Sequence, residues 1–345
     1  MKPIAITLGD PCGIGPEIIL KAFAAGLPAP AVVVGDPALL EREAVRLRLP
    51  LAIRTIASAD ALATADADAT GGTLAPSAAV PVLATTALPE DLPVGSIDVR
   101  AGDAAYRYVA RAAMLAMRGE VRALVTAPIN KEAMHRAGHD YPGHTELLAE
   151  LAGNVPVRMM LANSELRTVL VTIHMALRDA LDALTRELIG ETIAIAHDAL
   201  RAAGIARPRI AVAGVNPHAG EGGAFGREEI EMVAPAIADA RSHGIDASGP
   251  HPPDTVFMRA RGFALCDVVI AMYHDQGLIP VKYMGIDDGV NITIGLPYVR
   301  TSPDHGTAFD IAGRVDESGR GLADERSLVA ALRQADELSR GAARR

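Results

Sequence analysis

The sequence predicts an α/β protein with a largely parallel sheet, and three observations carry that reading. Short β-branched apolar runs alternate with longer segments of helical spacing along most of the chain. Aromatic residues make up only 3%, with no Trp, so the core is built from Ala, Val, Leu, Ile and Met, which suits parallel strands under Ala-rich helices. At 345 residues, half of them apolar, the chain is long enough for two domains.

The alternation starts with "PIAITL", a strand, then "GPEIILKAFAA", where Pro16 and Glu17 suit a helix first turn, then "AVVVGD", a second strand. Residues 57–95 are rich in Ala, Asp, Thr, Gly and Pro with weak periodicity, and read as a loop-rich excursion with a strand at "VPVLA". A long helix follows in "AGDAAYRYVARAAMLAMRGE", a strand in "VRALVTAPIN" that breaks at Pro128, and a short helix in "KEAMHRAG" stopped by Gly138. Strands are then expected in "RTVLVTIH", "RIAVAGVNPHAG", "DVVIAMYHDQG" and "GVNITIGLP". Helices are expected in "RELIGETIAIAHDALRAAG", "REEIEMVAPAIADARSHG" and a closing "SLVAALRQADELS".

Charge and composition exclude several functions. A net charge of −9 argues against a nucleic-acid or anionic-membrane surface, and the longest basic cluster is the tail "RGAARR". Only two cysteines occur, Cys12 and Cys266, far apart and in unlike contexts, so neither a disulfide framework nor a Cys-based zinc site is indicated. "MKPIAITLGD" turns polar too early for a signal peptide and no run of about 18 apolar residues occurs, so a cytoplasmic chain outside the membrane is expected.

Three strands end on histidine: "LVTIH" at His174, "AGVNPH" at His218 and "AMYH" at His274. Parallel strands would deliver the three imidazoles to one edge of the sheet. One histidine near a strand end is more often a hydrogen-bonded structural residue. Three in the same position of successive strands favour a divalent-metal site with an open position for substrate, although the spacing is no zinc signature by itself.

A second set is cationic or polar: His144 and Thr145 in "PGHTE", Lys282 in "VKYMG", Asn291 in "GVNIT" and Arg300 in "YVRTS". Lys and Arg on an acidic chain commonly just pair with surface carboxylates. These sit in short, otherwise uncharged segments, as a pocket for a small anion requires. The loop "GDPCGIGPE" could cradle a phosphate at a helix N-terminus or could be a plain tight turn. Neither it nor "GEGGAFG" fits G-x-G-x-x-G, and no P-loop exists. Asp254 in "GPHPPDTVF" and Asp275 in "HDQG" could each orient a metal-bound imidazole or accept a proton, while Asp254 could equally cap the helix after it.

Taken together, "ITLGDPCGIGPEI", "TAPINKEA", "YPGHTELLAE", "GVNPHAGEGG", "PPDTVF", "MYHDQGLIPVKY", "GVNITIGLP" and "RTSPDHGTAFDIAG" resemble the 4-hydroxythreonine-4-phosphate dehydrogenase family, the PdxA proteins of pyridoxal phosphate biosynthesis. The resemblance covers nearly the whole chain apart from roughly residues 37–100. It implies an isocitrate/isopropylmalate dehydrogenase-like fold of two α/β domains around a cleft, with residues 1–125 and 300–345 in one domain and 126–299 in the other. It also implies NAD- or NADP-dependent oxidation of a phosphorylated 3-hydroxy acid, assisted by a divalent cation (Zn²⁺, Mg²⁺, Co²⁺ or similar), in a homodimer whose active site is shared between subunits.

By motif, His174, His218 and His274 match the metal ligands, contributed across the dimer, and His144, Thr145, Lys282, Asn291 and Arg300 match substrate-binding positions. Asp254, Asp275 and Lys282 are candidates for the catalytic base. "GVNITIGLP" and "RTSPDHGTAFDIAG" are where the dinucleotide is expected. Oxidation at C3 gives a 3-keto acid that loses its carboxylate as CO₂. The same motifs resemble a sister branch acting on 4-phospho-D-threonate or 4-phospho-D-erythronate, and the substrate stays open between the branches. A metal-dependent binding protein for a phosphorylated sugar acid, and a three-histidine hydrolase, are the rival readings.

Overall fold

Strand after strand in this chain is apolar on both faces, which is the pattern of a sheet covered by helices on each side. A computed structural model describes residues 1–62, 78–285 and 289–343. Residues 63–77, the middle of the loop-rich excursion, lie outside the described residues. The strands are β1 (Ile4–Thr7), β2 (Ala31–Gly35), β3 (Ala52–Thr55), β4 (Ala79–Ala84), β5 (Ala123–Thr126), β6 (Arg158–Ala162), β7 (Arg167–Leu170), β8 (Arg209–Ala213), β9 (Asp246–His251), β10 (Val268–Ala271), β11 (Val290–Ile294) and β12 (Val299–Pro303).

The chain divides into two units, Met1–Val155 with Leu296–Ser339, and Pro156–Gly295 with the residues from Arg340 on. In the first, β3, β4, β2, β1, β5 and β12 lie side by side, all parallel. In the second, β10 is flanked by β7 and β8, with β9 beyond β8, all parallel, while β6 and β11 join antiparallel. Among the described residues, no helix is long and apolar enough to cross a membrane.

Residues 126–155, expected in the second domain, belong to the first unit. The helices Lys131–Arg136 and His144–Leu151 pack on Val99–Met117. Gly102 permits this, because a Cβ there would lie 2.1 Å from the Ala133 carbonyl oxygen. Two carboxylates start helices as N-caps: Asp36 accepts from Leu39 N ahead of Pro37–Arg46, and Asp98 from Arg100 N ahead of Val99–Met117. Asp254 does not cap its helix. Pro252 holds the cap position of Pro253–Ala260 and Asp254 sits exposed in the first turn, where its negative charge suits the helix dipole.

The first unit's strand order reverses between β1 and β5, where ligands usually gather in α/β sheets. The glycine-rich loop after β1 packs tightly against its own chain. A Cβ at Gly13 would lie 2.9 Å from Thr307 O, and one at Gly15 2.3 Å from Leu8 O, so the loop is filled by its own chain. Both cysteines are free and buried, with thiols pushed up by burial to about 12 at Cys12 and about 11 at Cys266.

Within that loop Asp10 is fully buried. Its Oδ1 accepts from Cys12 N at 2.8 Å, and its Oδ2 has no hydrogen-bonding partner. Burial, seconded by the nearby Asp98 carboxylate and opposed by the Cys12 N–H, pushes its pKa from 3.8 up to about 6. The folded chain thus holds this proton more tightly than the unfolded chain, so stability falls as pH rises from 3.8 through about 6. The loss is on the order of 3 kcal/mol at neutral pH. Asp10→Asn removes it, so the melting temperature of the variant relative to the parent should climb between pH 4 and pH 7, as calorimetry at several pH values would show. A difference independent of pH would contradict the assignment.

Candidate active site

In the second unit, β7 and β8 both run parallel to β10, in register Thr168 with Val269 and Ile210 with Val268. All three loops carrying the strand-end histidines therefore leave from one edge of the sheet. The rings of His174 and His274 are 5.6 Å apart, inclined at 45°. They line a cavity of 390 Å³ with Thr172, Ile173, Met175, Tyr273 and Asp275. Asp275 Oδ1 stands 2.7 Å from His274 Nδ1. A carboxylate at Nδ1 fixes the proton there and leaves Nε2 as the lone-pair nitrogen, the arrangement found behind metal-bound imidazoles.

His218 does not line this cavity. Its ring lies 6.3 Å from that of Phe225, and its backbone is left-handed, φ 54°. Among the described residues, no three His, Cys, Asp or Glu side chains of one chain are arranged to hold an ion. The donors present fit two-point ligation by imidazole from one chain, with a third ligand required from elsewhere.

The remaining second-unit candidates are spread out. Asp254 is exposed and shares with Asp275, Tyr273 and Gln276 the lining of a second groove, of 590 Å³. Lys282 is exposed in the last turn of the helix His274–Tyr283. Asn291 pairs with Leu161 across β11 and β6, and its Oδ1 is buried without a hydrogen-bonding partner.

In the first unit, Arg300 lies on β12 opposite Leu124 of β5 and is only 2% exposed. It donates from Nη2 to Thr126 Oγ1 at 2.7 Å. Burial lowers its pKa to about 10, against the opposing pull of Tyr298 and Glu146, so it stays cationic at neutral pH. His144 opens the helix His144–Leu151, with Thr145 next to it. Its Nε2 is buried without a hydrogen-bonding partner. Burial, reinforced by the positive charges of Arg300 and Lys131, holds this imidazole well below its ordinary pKa. A neutral imidazole, a buried guanidinium and an ammonium are thus near enough to feel one another's charge, a donor set chemically suited to an anion.

Three contributors escaped sequence reasoning. Lys131 stands in "TAPINKEA", where the Asn130 N-cap of its own helix is the more visible feature. Gln276 is buried, with its Oε1 accepting from Met272 N at 2.6 Å and its Nε2 donating to Gly214 O at 2.8 Å. Glu229 is buried, accepting at Oε1 from Val215 N at 2.7 Å and Asn216 N at 2.8 Å. The one sequence signal for Gln276 was its position two residues after His274.

Comparison with known proteins adds family evidence. A family model described as "Pyridoxal phosphate biosynthetic protein PdxA" matches residues 28–335. A 4-hydroxythreonine-4-phosphate dehydrogenase of Beijerinckia indica is 52% identical, covering 97% of this chain and 95% of its own. A D-threonate 4-phosphate dehydrogenase of Salmonella typhimurium is 48% identical, covering 98% and 99%. The crystal structure of a 4-hydroxythreonine-4-phosphate dehydrogenase from Klebsiella pneumoniae superposes with a TM-score of 0.86 at 46% identity, covering 98% of this chain and 100% of that one.

The charge pattern around His144 has a direct readout. Its C2–H proton resonance, assigned through His144→Gln, should stay at the neutral position through the pH range in which an ordinary histidine titrates, in ligand-free protein. Inorganic phosphate, by adding negative charge, should move its titration upward. A midpoint near the ordinary histidine value without phosphate would contradict the burial argument.

Proposed function

This chain belongs to the PdxA family, and on that premise we propose that it is a dehydrogenase that oxidises C3 of a 4-phosphorylated 3-hydroxy acid, with NAD or NADP and a divalent cation, and releases CO₂. The substrate is 4-phosphooxy-L-threonine or 4-phospho-D-threonate/erythronate, the two classes that the names of its relatives bring to the question. The observation that carries the reading is the His174–His274 pair on a cavity, with the Asp275 carboxylate behind His274.

When bound, the cation supplies Lewis-acid polarisation of the substrate oxygens and the dinucleotide accepts the hydride. The protein's own groups do the rest. His174 and His274, with His218 of the homodimer as third ligand, hold the ion through neutral imidazole. The hydroxyl proton passes to Asp275 or Lys282, on the helix that His274 opens, or to Asp254, which shares the lining of the second groove with Asp275. In the first unit Arg300, Lys131, His144 and Thr145 offer donors to an anionic group, and in the second Lys282 and Asn291 stand at positions that match the family's substrate-binding residues. The neutrality of His144 lets it both donate and accept a proton at hydrogen-bonding distance, while Arg300 supplies fixed charge. The dinucleotide binds along 301–313, where His305 Nε2 is buried without a partner and the α-carbon of Gly306 faces open space.

The same reading requires a second copy. Met258 is 70% exposed, Ile279 63% and Tyr283 92%, an apolar cluster around the groove that shares Tyr273 and Asp275 with the histidine cavity. A homodimer through this groove sets a partner's side chains next to His174 and His274. Two free buried thiols suit a reducing cytoplasm.

The activity test compares reduced-nicotinamide formation from the two substrates by protein loaded with Zn²⁺, Mg²⁺ or Co²⁺. Turnover of one substrate alone assigns the branch; binding without turnover favours the binding-protein reading, and hydrolysis without dinucleotide the hydrolase. Arg300→Met should raise KM by about tenfold or more at unchanged metal content, and His174→Ala should abolish metal retention. Light scattering should return a dimer for the parent and a monomer for the Ile279→Glu, Tyr283→Glu double variant, with metal retention lost alongside. A parent that is monomeric while active would contradict the shared site.

A further inference from the structure

We propose that Gln276 and Glu229 are positioning residues, which together hold the loop after β8, and with it His218, in a fixed place relative to His274. The inference rests on the metal reading above and adds to it the groups that fix the loop bearing the third imidazole.

The loop has to be held. His218, Ala219, Gly220, Glu221 and Gly222 run through five successive left-handed residues, φ 54°, 54°, 80°, 44° and 66°. Three of the five carry a Cβ, for which that backbone region is unfavourable, so the conformation persists only if its surroundings impose it. The loop's own hydrogen bonds do not extend back to β8. Side chains from two other elements reach in at that point.

Glu229, in the turn of π-helix Glu229–Val233, takes the N–H groups of Val215 and Asn216 on one oxygen, and Asn216 Nδ2 donates to the other at 3.0 Å. Its carboxyl occupies the inside of the curl. A Cβ at Gly214 would lie 3.0 Å from Oε1, and one at Gly220 2.7 Å from Oε2. The carboxyl therefore packs closely against both glycines. A π-turn is rare, and here it brings the carboxyl to the loop.

Gln276 completes the attachment from the other side. It sits two residues beyond His274, in the first turn of the same helix, and its amide donates to Gly214 O while accepting from Met272 N. The Met272 peptide is gripped on its other side by Thr172, whose Oγ1 donates to Met272 O at 2.8 Å. A continuous series of hydrogen bonds thus runs from the strand end of His174, through that of His274, to that of His218. All of its members are buried, so each lost partner leaves an unsatisfied polar group.

The test uses full-length Gln276→Met, which keeps the length of the side chain but neither hydrogen bond, together with Glu229→Gln and Glu229→Ala. Cobalt affinity is read from its visible spectrum, thermal unfolding separately, and amide exchange at Met272, Val215 and Asn216 in metal-free protein. Removing such supporting partners typically costs about 10- to 100-fold in metal affinity. Gln276→Met should show a loss of that size with an altered cobalt spectrum and faster exchange at Met272. Glu229→Gln, which keeps a carbonyl for the two N–H groups, should retain most of the affinity that Glu229→Ala loses. Cobalt affinity and exchange in Gln276→Met equal to the parent's would overturn the inference while leaving the metal reading intact. A parent that binds no cobalt overturns the metal reading, and unchanged exchange at the three amides then overturns the inference as well.

Discussion

The parallel pairing of β10 between β7 and β8 is the constraint on which the chemistry of the second unit depends. Parallel strands in register end together, and a one-residue slip would turn every side chain to the opposite face. The ladder continues past the last residue of β7, with Val171 N donating to Ala271 O at 2.9 Å, so the loops begin from a common, rigid line. From that line His174 and His274 converge on one cavity, whose lining does not include His218 of the longer loop after β8. The number of residues between strand end and histidine decides which imidazoles meet.

Burial does different work in the first unit. Arg300 lies between the backbone of a parallel sheet and the N-terminus of a short helix, desolvated yet charged, and beside it His144 is kept neutral by the same burial and by the positive charge of its neighbours. An anion with two negative charges would relieve the cost of desolvating the guanidinium and raise the proton affinity of the imidazole at the same time. Cationic side chains in an acidic protein are usually solvated and paired at the surface. Arg300, at 2% exposure, is a departure from that pattern.

The fold class was legible because β1, β2, β5 and β10 are apolar on both faces and are separated by strongly periodic helices such as Val99–Met117 and Arg186–Ala202. Weaker elements were not: β9 contains Ser248, Gly249 and Pro250, and the helices Pro253–Ala260 and His274–Tyr283 are short and interrupted by polar or Pro residues. The histidines could be read from their position after apolar strands. Their unequal grouping could not, since it depends on the left-handed loop that Gly214 and Gly220 allow around Glu229. Gln276 stood out in the sequence only as part of a polar cluster at the end of an apolar strand and Lys131 not at all, and only the three-dimensional path of the chain gives them neighbours at Gly214 and His144.

The central claim is that imidazoles delivered by these strand ends hold one divalent ion in the dimer. X-ray absorption at the metal edge of zinc- or cobalt-loaded protein tests it most directly. The account predicts a first shell containing three imidazole nitrogens at about 2.0–2.1 Å, falling to two in His218→Ala. A shell of oxygen donors alone, or one unchanged by loss of His218, would contradict it.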